Sequence, residues 1–496
     1  MRIRNMETVN GFGNVEGRKV ISELLETGLE AADPYYNACD FLRIEDGVLY
    51  VGHPDFDPLD SPRTGVDRYV LGRDIDRIFV FGAGKGIWRA ISALEERLGD
   101  YLTGGHVILK HGDEGSSEKI GITRAGHPVP DEFCVEGCKA ILKCIKEAKL
   151  TSRDIVFTII GNGVSSLLTL PPEGVSLEDV KTITRVIQIE HGLPTTVLNK
   201  VRNQVDQLKG GRITRLLHPA IMYHLVTIDV NEKNRFNLQG YRALTETNTW
   251  LHTLPDMTTP EDALAFLKDN GLWDEMAPSV QDYLENRATE NPVLTKAEFE
   301  TFHARIAALM PNGRSCVPRI LAKAKELGYT PHWMTKQLFQ DAGVVSNVAC
   351  SIAKNTLDEK EPFQAPCLLL FTGELLVTVG KSNGIGGRNQ EFCLTAATAI
   401  AGRKRIVVGS ADTDGTDGPG GRFNEDAWEK GCHGLSGGIV DGYTMERAAE
   451  KGVDVADALR THATSDALWK LDCGLWATQN ISINDIIMVL VMDHDG

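Results

Sequence analysis

The amino-acid sequence predicts an α/β protein built from two α/β domains with mainly parallel sheets. Short runs of β-branched and other apolar residues alternate with longer stretches of helical periodicity, which is typical of successive strand–helix units. Two such series occur, one in each half of the chain, with a mainly helical stretch between them. The chain has 496 residues, more than one hydrophobic core usually supports, so more than one domain is expected.

The first series of strands and helices occupies the first half of the chain. A typical predicted strand is the apolar run RIFVF (77–81), which ends at a glycine and is followed by a helical pattern. Ser176 and Asp179 have the spacing of a helix-capping pair, so a further helix should begin there. The other predicted helices are 17–32, a stretch ending near 98, and 131–149, and the predicted strands are 77–81, 106–110, 154–160 and 224–230.

The junction between the domains is predicted after the last of these strands. From about 231 to 262 the pattern dissolves into polar residues with Asn, Thr and Pro, which indicates a domain junction or a long functional loop. We therefore expect an N-terminal domain over residues 1–255 and a C-terminal domain over 256–496. The C-terminal domain would combine a mainly helical insert (256–360) with an α/β unit (361–496).

The second series starts with CLLLFTGE (367–374) and LLVTVG (375–380), which are expected to pair as a hairpin. A helix from Arg388, the strand RIVVGS (405–410) and the closing strand IIMVLVM (486–492) follow. Between the last two strands, residues 411–442 are rich in glycine and aspartate and have no hydrophobic period.

Composition excludes several classes of protein. The 52 basic and 68 acidic residues give a net charge of −16, and a chain this acidic without a basic block is a poor nucleic-acid binder. No apolar run is long enough to span a membrane, and the N-terminus has neither a secretory nor a lipidation signal, so a cytoplasmic protein is expected. The 10 cysteines form no CxxC pair, which predicts reduced and mostly buried thiols.

Two glycine-containing turns in the first half could bind an anion. Residues 82–86, GAGKG, follow a predicted strand, but Ile87 spoils a dinucleotide fingerprint and Gly86 stands where a Walker A loop has Ser or Thr. What remains is a glycine turn at a helix N-terminus that carries Lys85, where free backbone N–H groups would attract anions. The turn GNGVSS (161–166) offers backbone and hydroxyl donors in the same way. The alternatives are a tight packing turn with a solvated lysine and a simple connection.

Two turns in the second half carry charged side chains. Arg388 follows two glycines on the first turn of its helix, which suits bidentate capture of a carboxylate or phosphate, although a surface salt bridge is the alternative. Asp412, Asp414 and Asp417 invite a calcium-loop interpretation, but position five is Thr416 and position twelve is Phe423. Clustered carboxylates at a strand end better suit a partly hydrated Mg²⁺ shared with phosphates, and a solvated acidic loop is the alternative.

Taken in order, these turns resemble the motifs of the glycerate 2-kinase family, whose C-terminal part is called the MOFRL domain. The resemblance runs from about Glu30 to the last strand. It implies a Rossmann-like N-terminal domain, a MOFRL-type C-terminal unit, an active site in a cleft between them, and phosphorylation of D-glycerate at its 2-hydroxyl by ATP with Mg²⁺. The motifs that carry it are GAGKG (82–86), AGHPVPDE (125–132), LKGGR (208–212), TGELLVTV (372–379), GGRNQEF (386–392), DTDGTDGP (412–419) and IVDGYT (439–444).

By motif, the resemblance also implies the site residues. Lys85 and Arg388 would be the paired catalytic cations, which offset the charge of the transferring group or hold the carboxylate of the acceptor. Asp229, at the end of the predicted strand 224–230, would orient or deprotonate the acceptor hydroxyl. The metal would be held by Asp412, Asp414 and Asp417. Substrate and nucleotide would be bound by Gly82, Gly84, Gly86, His127, Gly161, Asn162, Gly163, Ser165, Ser166, Arg202, Lys209, Glu374, Asn389 and Glu391.

The chain departs from the family pattern where substrate should lie. The departures are GNGVSSL (161–167), the interior of RNQVDQLKGGR (202–212), the segment after Asp229, an insertion at 420–437 and QNISIND (479–485). They leave open another sugar acid or polyol as the acceptor, and a non-catalytic metabolite-binding relative. A hydroxypyruvate reductase is disfavoured, because the dinucleotide fingerprint is incomplete at Ile87. A homodimer is also left open.

Overall fold

In a computed structural model, the chain divides into two compact units, which we call the central unit (Pro34–Gly313) and the terminal unit (Met1–Asp33 with Arg314–Gly496). The structure describes residues 1–228, 230, 239–481, 483 and 485–495. The division differs from the predicted boundary at 255/256, because a strand near residue 304 completes the sheet of the central unit and the first long helix covers the sheet of the terminal unit.

The central unit is built on a parallel sheet. Among the described residues, its six strands lie in the order β6-β5-β4-β7-β8-β9, and every neighbouring pair is parallel. A small antiparallel sheet, β1-β2-β3, precedes it. The strands are β1 Leu42–Glu45, β2 Val48–Val51, β3 Asp67–Val70, β4 Arg77–Ala83, β5 Leu102–Lys110, β6 Ile120–Ala125, β7 Asp154–Ile160, β8 Ile221–Val226 and β9 Ala304–Ala308.

Both faces of this parallel sheet are buried. Phe79 and Phe81 of β4 join one hydrophobic core, while Ile78 and Val80 of the same strand join another. Successive side chains of a strand point to opposite faces, so the continuous apolar run of β4 is what a sheet covered on both sides requires. The helices and short helical segments of this unit are Pro34–Phe41, Trp88–Leu98, Glu132–Ala148, Val164–Leu167, Leu177–Thr184, Thr195–Arg202, Arg212–Leu217, Gly240–Glu246, Pro260–Asp269, Pro278–Asn286 and Lys296–Phe299.

The terminal unit contains a mixed sheet, so the predicted α/β class holds for both units and the predicted parallel arrangement holds for the sheet of the central unit. Within the described residues its order is β10-β11-β15-β12-β13-β14, and β10 with β11 is its parallel pair. The closing strand β15 inserts between β11 and β12 and runs antiparallel to both. The strands are β10 Thr330–Leu338, β11 Cys367–Gly373, β12 Ile406–Asp412, β13 Gly437–Asp441, β14 Gly474–Leu475 and β15 Asp485–Val491.

The long N-terminal helix Val15–Ala31 packs on one face of the mixed sheet. Its Ile21 and Leu25 share a hydrophobic core with Leu370 of β11 and Met488 of β15. A fully buried ion pair, Arg18 Nε to Asp441 Oδ2 at 2.6 Å, fixes the same helix to the end of β13. The other helices of this unit are Met6–Val9, Cys316–Glu326, Ala342–Glu359, Arg388–Ala399, Glu425–Glu429, Thr444–Lys451, Val455–Arg460 and Thr464–Lys470.

Several predicted elements differ from the observed ones. The expected LLVTVG hairpin is absent from the described chain, where Leu376 forms one isolated bridge to Asp341. The stretch expected to be mainly helical contains β9 and β10, and the stretch without a hydrophobic period contains β13. The strand predicted over 224–230 is β8, which begins earlier and ends at Val226.

Other sequence predictions are confirmed. Ser176 and Asp179 form a capping box, and the predicted strand 154–160 is β7. All ten cysteines are free, and Cys144 alone among them is not buried. In the part of the chain that the structure describes, no helix combines the length and the apolar content that crossing a membrane requires.

Candidate active-site groups in the two units

The two glycine turns of the central unit touch each other at the carboxyl ends of β4 and β7. The backbone N–H of Lys85 donates to the carbonyl of Asn162 at 2.9 Å. A Cβ atom on Gly84 would stand 3.0 Å from the nitrogen of Gly161, so this approach depends on a glycine. Because β4 and β7 are parallel neighbours, their turns meet at the same edge of the sheet, where α/β proteins bind ligands.

The backbone of the GAGKG turn is already engaged, which corrects the idea that it cradles an anion through its N–H groups. Gly84 donates to Ile108, Lys85 to Asn162, and Gly86 to the Asp113 carboxylate at 3.0 Å. Burial raises the pKa of Asp113, while the backbone N–H groups of Gly86 and Lys110 and the charges of Lys110 and Lys85 oppose the shift. The turn therefore fixes the backbone under Lys85, whose side chain is half-buried.

The second turn brings His127 and Ser165 to the same edge. Gly163 has a left-handed φ of +82°, and a Cβ atom there would stand 2.9 Å from the His127 ring. Ser165 is half-buried, and its Oγ lies 2.8 Å from Nε2 of His252. The buried Ser166 instead donates to the carbonyl of Gly126 at 3.0 Å, which ties the segment before His127 to the turn and gives this serine a structural contact.

Behind the second turn lies a cluster of buried basic residues. Lys209 is fully buried, and its Nζ donates to Asp206 at 2.7 Å and to Thr169 at 2.8 Å. The ammonium group of Lys209 therefore donates to protein groups, whereas the sequence predicted that it binds substrate or nucleotide. Arg212 donates to three backbone carbonyls and is likewise committed to the fold. Arg202 is 8% exposed, and burial lowers its pKa to about 10.

His252 is a member of this cluster that the sequence motifs did not indicate. It is buried, and burial together with Lys209, Arg202 and Arg212 holds its pKa well below the ordinary value, so the ring is neutral. In the sequence it stands in WLHTLP (250–255), which has no recognisable spacing to another polar group. Only its contact with Ser165, 87 residues earlier in the chain, connects it to the site.

The terminal unit places its charged residues where three neighbouring strands meet. Gly373 at the end of β11 and Asp412 at the end of β12 both pair with Asp485 at the start of β15. The helix Arg388–Ala399 begins at the same edge, and the side chain of its first residue donates to Asp412 and Asp485. Short apolar strands that end together thus bring residues distant in sequence to one edge.

Arg388 is held by two carboxylates. Its Nε and Nη2 donate to Asp485 at 2.7 and 2.9 Å, and Nη2 also donates to Asp412 at 2.8 Å. Burial works against the charge, but the two carboxylates outweigh it and raise the pKa of Arg388. The side chain is 23% exposed, and its Nη1 donates to no protein group within the described residues. One face of the guanidinium is therefore fixed, and the other remains available to a ligand.

Asp485 was not among the predicted site residues, although it organises this edge. It is fully buried and also accepts hydrogen bonds from Asn389 Nδ2 at 2.8 Å and from the backbone of Leu375 at 2.7 Å. Leu375 is the residue after the predicted site residue Glu374. The backbone N–H of Glu374 donates to the carbonyl of Leu338 at 2.7 Å. In the sequence, Asp485 is a single carboxylate before a predicted buried strand, and this pattern does not distinguish a site residue from a structural one.

Asp417 holds the start of the Arg388 helix. Its carboxylate accepts from the backbone of Gln390 at 2.9 Å and from Asn389 Nδ2 at 3.2 Å. Burial raises the pKa of Asp417 to about 6, Arg388 opposes that shift, and Asp485 adds to it. Asn389 is itself buried, so both residues support the helix start and do not face solvent.

The three aspartates do not form the predicted metal site. Asp412 is engaged by Arg388, Asp417 by the helix start, and Asp414 Oδ1 accepts from the backbone of Thr416 at 2.8 Å. Within the described residues, no three His, Cys, Asp or Glu side chains are grouped so that they could hold a metal ion. The carboxylates therefore do not fit a Mg²⁺ held jointly by all three.

Two remaining predicted residues stand apart from these contacts. Glu391 lies three residues after Arg388 in the same helix and accepts a hydrogen bond from Nδ1 of His462 at 2.8 Å. Asp229, the predicted base, lies outside the described residues.

Comparison with known proteins identifies the family. One family model, described as "Domain of unknown function (DUF4147)", matches residues 20–285, and the MOFRL family model matches 367–484. The chain is 30% identical to the glycerate 2-kinase of Pyrococcus horikoshii over 482 residues, 97% of this chain and 98% of that protein. The chain belongs to the glycerate 2-kinase family. The resemblance read from the motifs is thereby confirmed.

Further relatives agree with this membership. The D-glycerate 2-kinase of Thermotoga maritima is 32% identical over 433 residues, 87% of this chain and 94% of that protein. A solved glycerate kinase structure from Thermotoga maritima has a TM-score of 0.72 and 29% identity, and the match covers 96% of this chain and 99% of that one. The family fold, with its parallel and mixed sheets, is the fold described above. A protein of Agrobacterium vitis provisionally named a hydroxypyruvate reductase is 29% identical over 84% of this chain.

Proposed function

We propose that this protein is an ATP-dependent kinase that converts D-glycerate to 2-phosphoglycerate. The observation that carries the proposal is the state of Arg388, a guanidinium fixed on one face by Asp485 and Asp412 and open through Nη1 at an edge where strands end. A preorganised cation of this kind suits the charge of a transferring phosphoryl group. The glycerate 2-kinases of Pyrococcus and Thermotoga are similar over most of the chain.

The reaction asks for alignment and charge neutralisation more than for covalent chemistry. The 2-hydroxyl oxygen forms a bond to the γ-phosphorus, the bond from that phosphorus to the bridging oxygen breaks, and ADP leaves with the electron pair. The hydroxyl proton is released. Asp229 is our candidate to accept it, on the family motif. Arg388 and Lys85 are proposed to serve this one transfer by neutralising charge on the phosphoryl group.

The test is turnover of purified protein with ATP and D-glycerate, with phosphorus NMR to tell 2-phosphoglycerate from its 3-isomer. Replacing one preorganised cation should lower kcat about a hundredfold to a thousandfold, so Arg388→Gln and Lys85→Met are each expected to show that loss. Arg403→Gln is the matched control, because Arg403 is an exposed arginine paired with Asp358. An active wild-type enzyme whose rate neither variant lowers tenfold would contradict the assignment.

The chain departs from the family pattern at 161–167 and 420–437, where the acceptor is expected to lie. Another sugar acid or a polyol is the alternative acceptor for the same chemistry. A panel of hydroxy acids and polyols in an ADP-release assay decides between them, and a preference for D-glycerate would reject the alternative.

A reductase is the second candidate, because of the name of the Agrobacterium relative. It would need a dinucleotide pyrophosphate bound by free backbone N–H groups at the first βα turn. In this chain the N–H groups of residues 84–86 already donate to protein acceptors. We therefore expect no oxidation of NADH or NADPH with hydroxypyruvate, and measurable oxidation would overturn this ranking.

A further inference from the structure

Arg202 is a buried guanidinium without a carboxylate partner. It ends the helix Thr195–Arg202, and its Nε donates to the side-chain oxygen of Asn199 at 2.7 Å. Its Nη1 and Nη2 donate to no protein group within the described residues. The neighbouring Arg212 donates from Nε and Nη1 to three backbone carbonyls, and its Nη2 has no partner within the described residues. Arg202 thus keeps most of its hydrogen-bonding capacity unused.

The charge of Asp206 favours the charged form of Arg202, but Asp206 is shared with other groups. Both oxygens of Asp206 are occupied, Oδ1 by the backbone N–H groups of Leu208 and Lys209, and Oδ2 by Leu170 N and Lys209 Nζ, all at 2.7 to 2.9 Å. The other buried acid of the cluster, Asp256, accepts from Asn203 and Thr258. Three cations therefore face two carboxylates, and an uncompensated buried charge is unfavourable unless a ligand supplies the counter-ion.

His252 prepares a hydroxyl donor beside this charge. Its Nε2 contacts Ser165 Oγ, and its Nδ1 is buried with no protein partner in the described chain. Because Nδ1 has no protein acceptor in the described chain, we place the proton of the neutral ring on Nε2, which lies 2.8 Å from Ser165 Oγ. Nε2–H then donates to Ser165 Oγ, which leaves the hydroxyl hydrogen of Ser165 for another acceptor.

We infer that Arg202 and Ser165 bind the carboxylate of the acceptor, a small 2-hydroxy acid, and that His252 is the positioning residue for Ser165. The inference rests on the proposed kinase function and names the part of the substrate that each group holds. Anchoring the carboxylate fixes the adjacent C2 hydroxyl, which gives a physical reason for phosphorylation at that position. Lys85 and Arg388 then remain for the phosphoryl group.

The test is direct binding by calorimetry, without turnover, of D-glycerate, its uncharged amide D-glyceramide, and ATP. Arg202→Met should weaken D-glycerate binding at least thirtyfold and leave ATP binding within threefold, because only the acceptor's counter-cation is removed. D-glyceramide should bind weakly to wild type and equally weakly to the variant. Arg215→Gln is the control, since Arg215 is a nearby arginine already paired with Glu298.

The positioning role has its own comparison. Ser165→Ala and His252→Leu should weaken D-glycerate binding to a similar extent. His252→Gln should restore it to within a few-fold of wild type, because the amide N–H can replace Nε2–H. Thermal unfolding of each variant shows whether it is folded. A merely structural histidine would not show this rescue.

Each outcome decides the inference separately from the kinase proposal. If ATP binding falls and D-glycerate binding does not, the site holds a nucleotide phosphate and the inference is wrong. Unchanged D-glycerate binding in folded Arg202→Met, or no binding of D-glycerate to wild type at millimolar concentration, also overturns it. Arg202-dependent binding without any turnover would keep the inference and reject the kinase function.

Discussion

The interaction between Arg388 and Asp485 gives the sharpest test of the site, through Asp485→Asn. The substitution keeps the shape of the side chain but removes the charge that holds Arg388 Nε and Nη2 at 2.7 and 2.9 Å. The Asn side chain would also direct its amide N–H group toward another hydrogen-bond donor, because Leu375 N and Asn389 Nδ2 both donate to the carboxylate of Asp485. Asp412 stays 2.8 Å from Nη2, so Arg388 keeps one partner and loses its bidentate one.

The magnitude follows from this partial loss. Breaking a fully buried ion pair costs about 3–5 kcal/mol, and a hydrogen bond to a charged group contributes about 1.5–3 kcal/mol. Arg388 is 23% exposed and keeps Asp412, so the lower range applies, about 2–3 kcal/mol. If that energy orients the guanidinium for the transferring group, kcat/KM should fall roughly thirtyfold to a hundred-and-fiftyfold.

The assay is steady-state kinetics with ATP and D-glycerate, combined with thermal unfolding to separate activity from stability. Asp441→Asn is the matched control, because Asp441 forms a fully buried pair with Arg18 in the same unit. It should lower stability without lowering the kcat of the folded fraction. The reasoning is refuted if Asp485→Asn retains kcat/KM within threefold of wild type while Arg388→Gln is inactive.

Two further predictions concern stability. Burial raises the pKa of Asp417 to about 6, above its ordinary value of 3.8, so between these pH values the native state binds a proton that the unfolded state has lost. The stabilisation that comes from this proton is complete below pH 3.8 and is lost as the pH rises through 6. Chemical denaturation of wild type and Asp417→Asn should therefore show the variant gaining relative stability from pH 4 to pH 7, by up to about 3 kcal/mol, and a pH-independent difference would contradict the shift. Lys209→Met removes the buried ammonium that donates to Asp206 and Thr169, while Arg202 and Arg212 still act on Asp206, so it should cost about 1.5–3 kcal/mol of unfolding free energy. Lys181→Met, at an exposed pair with Glu178, should cost less than about 1 kcal/mol. Equal losses of unfolding free energy in the two lysine variants would show that burial does not increase the contribution of the Lys209–Asp206 pair to stability.

Local pattern was sufficient for much of the fold. The continuous apolar run of β7 and the capping pair at Ser176 are properties of adjacent residues, and both were found where the sequence predicted them. The strand β10 was missed because TPHWMTKQL has no alternation and none of its residues is buried. The insertion of β15 between β11 and β12, and the unit boundary, depend on pairing between distant segments, which no local period encodes.

The candidate site shows the same division between local and distant information. Lys85 and Arg388 stand in glycine turns whose spacing is visible in the sequence. Lys85 follows the end of β4, and Arg388 begins a helix from which its side chain reaches Asp412 and Asp485. Asp485 and His252 act through contacts with residues 97 and 87 positions away, so spacing could not reveal them. The glycine turn at 82–86 was misread because a sequence does not show whether its N–H groups already have acceptors.

The different surroundings of Arg388 and Arg202 are the reason why we assign the phosphoryl group and the carboxylate to different residues. Arg388 already has two carboxylates, so a ligand that reaches Nη1 adds to a neutralised guanidinium whose main property is its fixed orientation. Arg202 has none, so an anion that reaches it removes an uncompensated buried charge. Ground-state binding of an acceptor should gain most from the second arrangement, while a charge that develops only during phosphoryl transfer should gain most from the first.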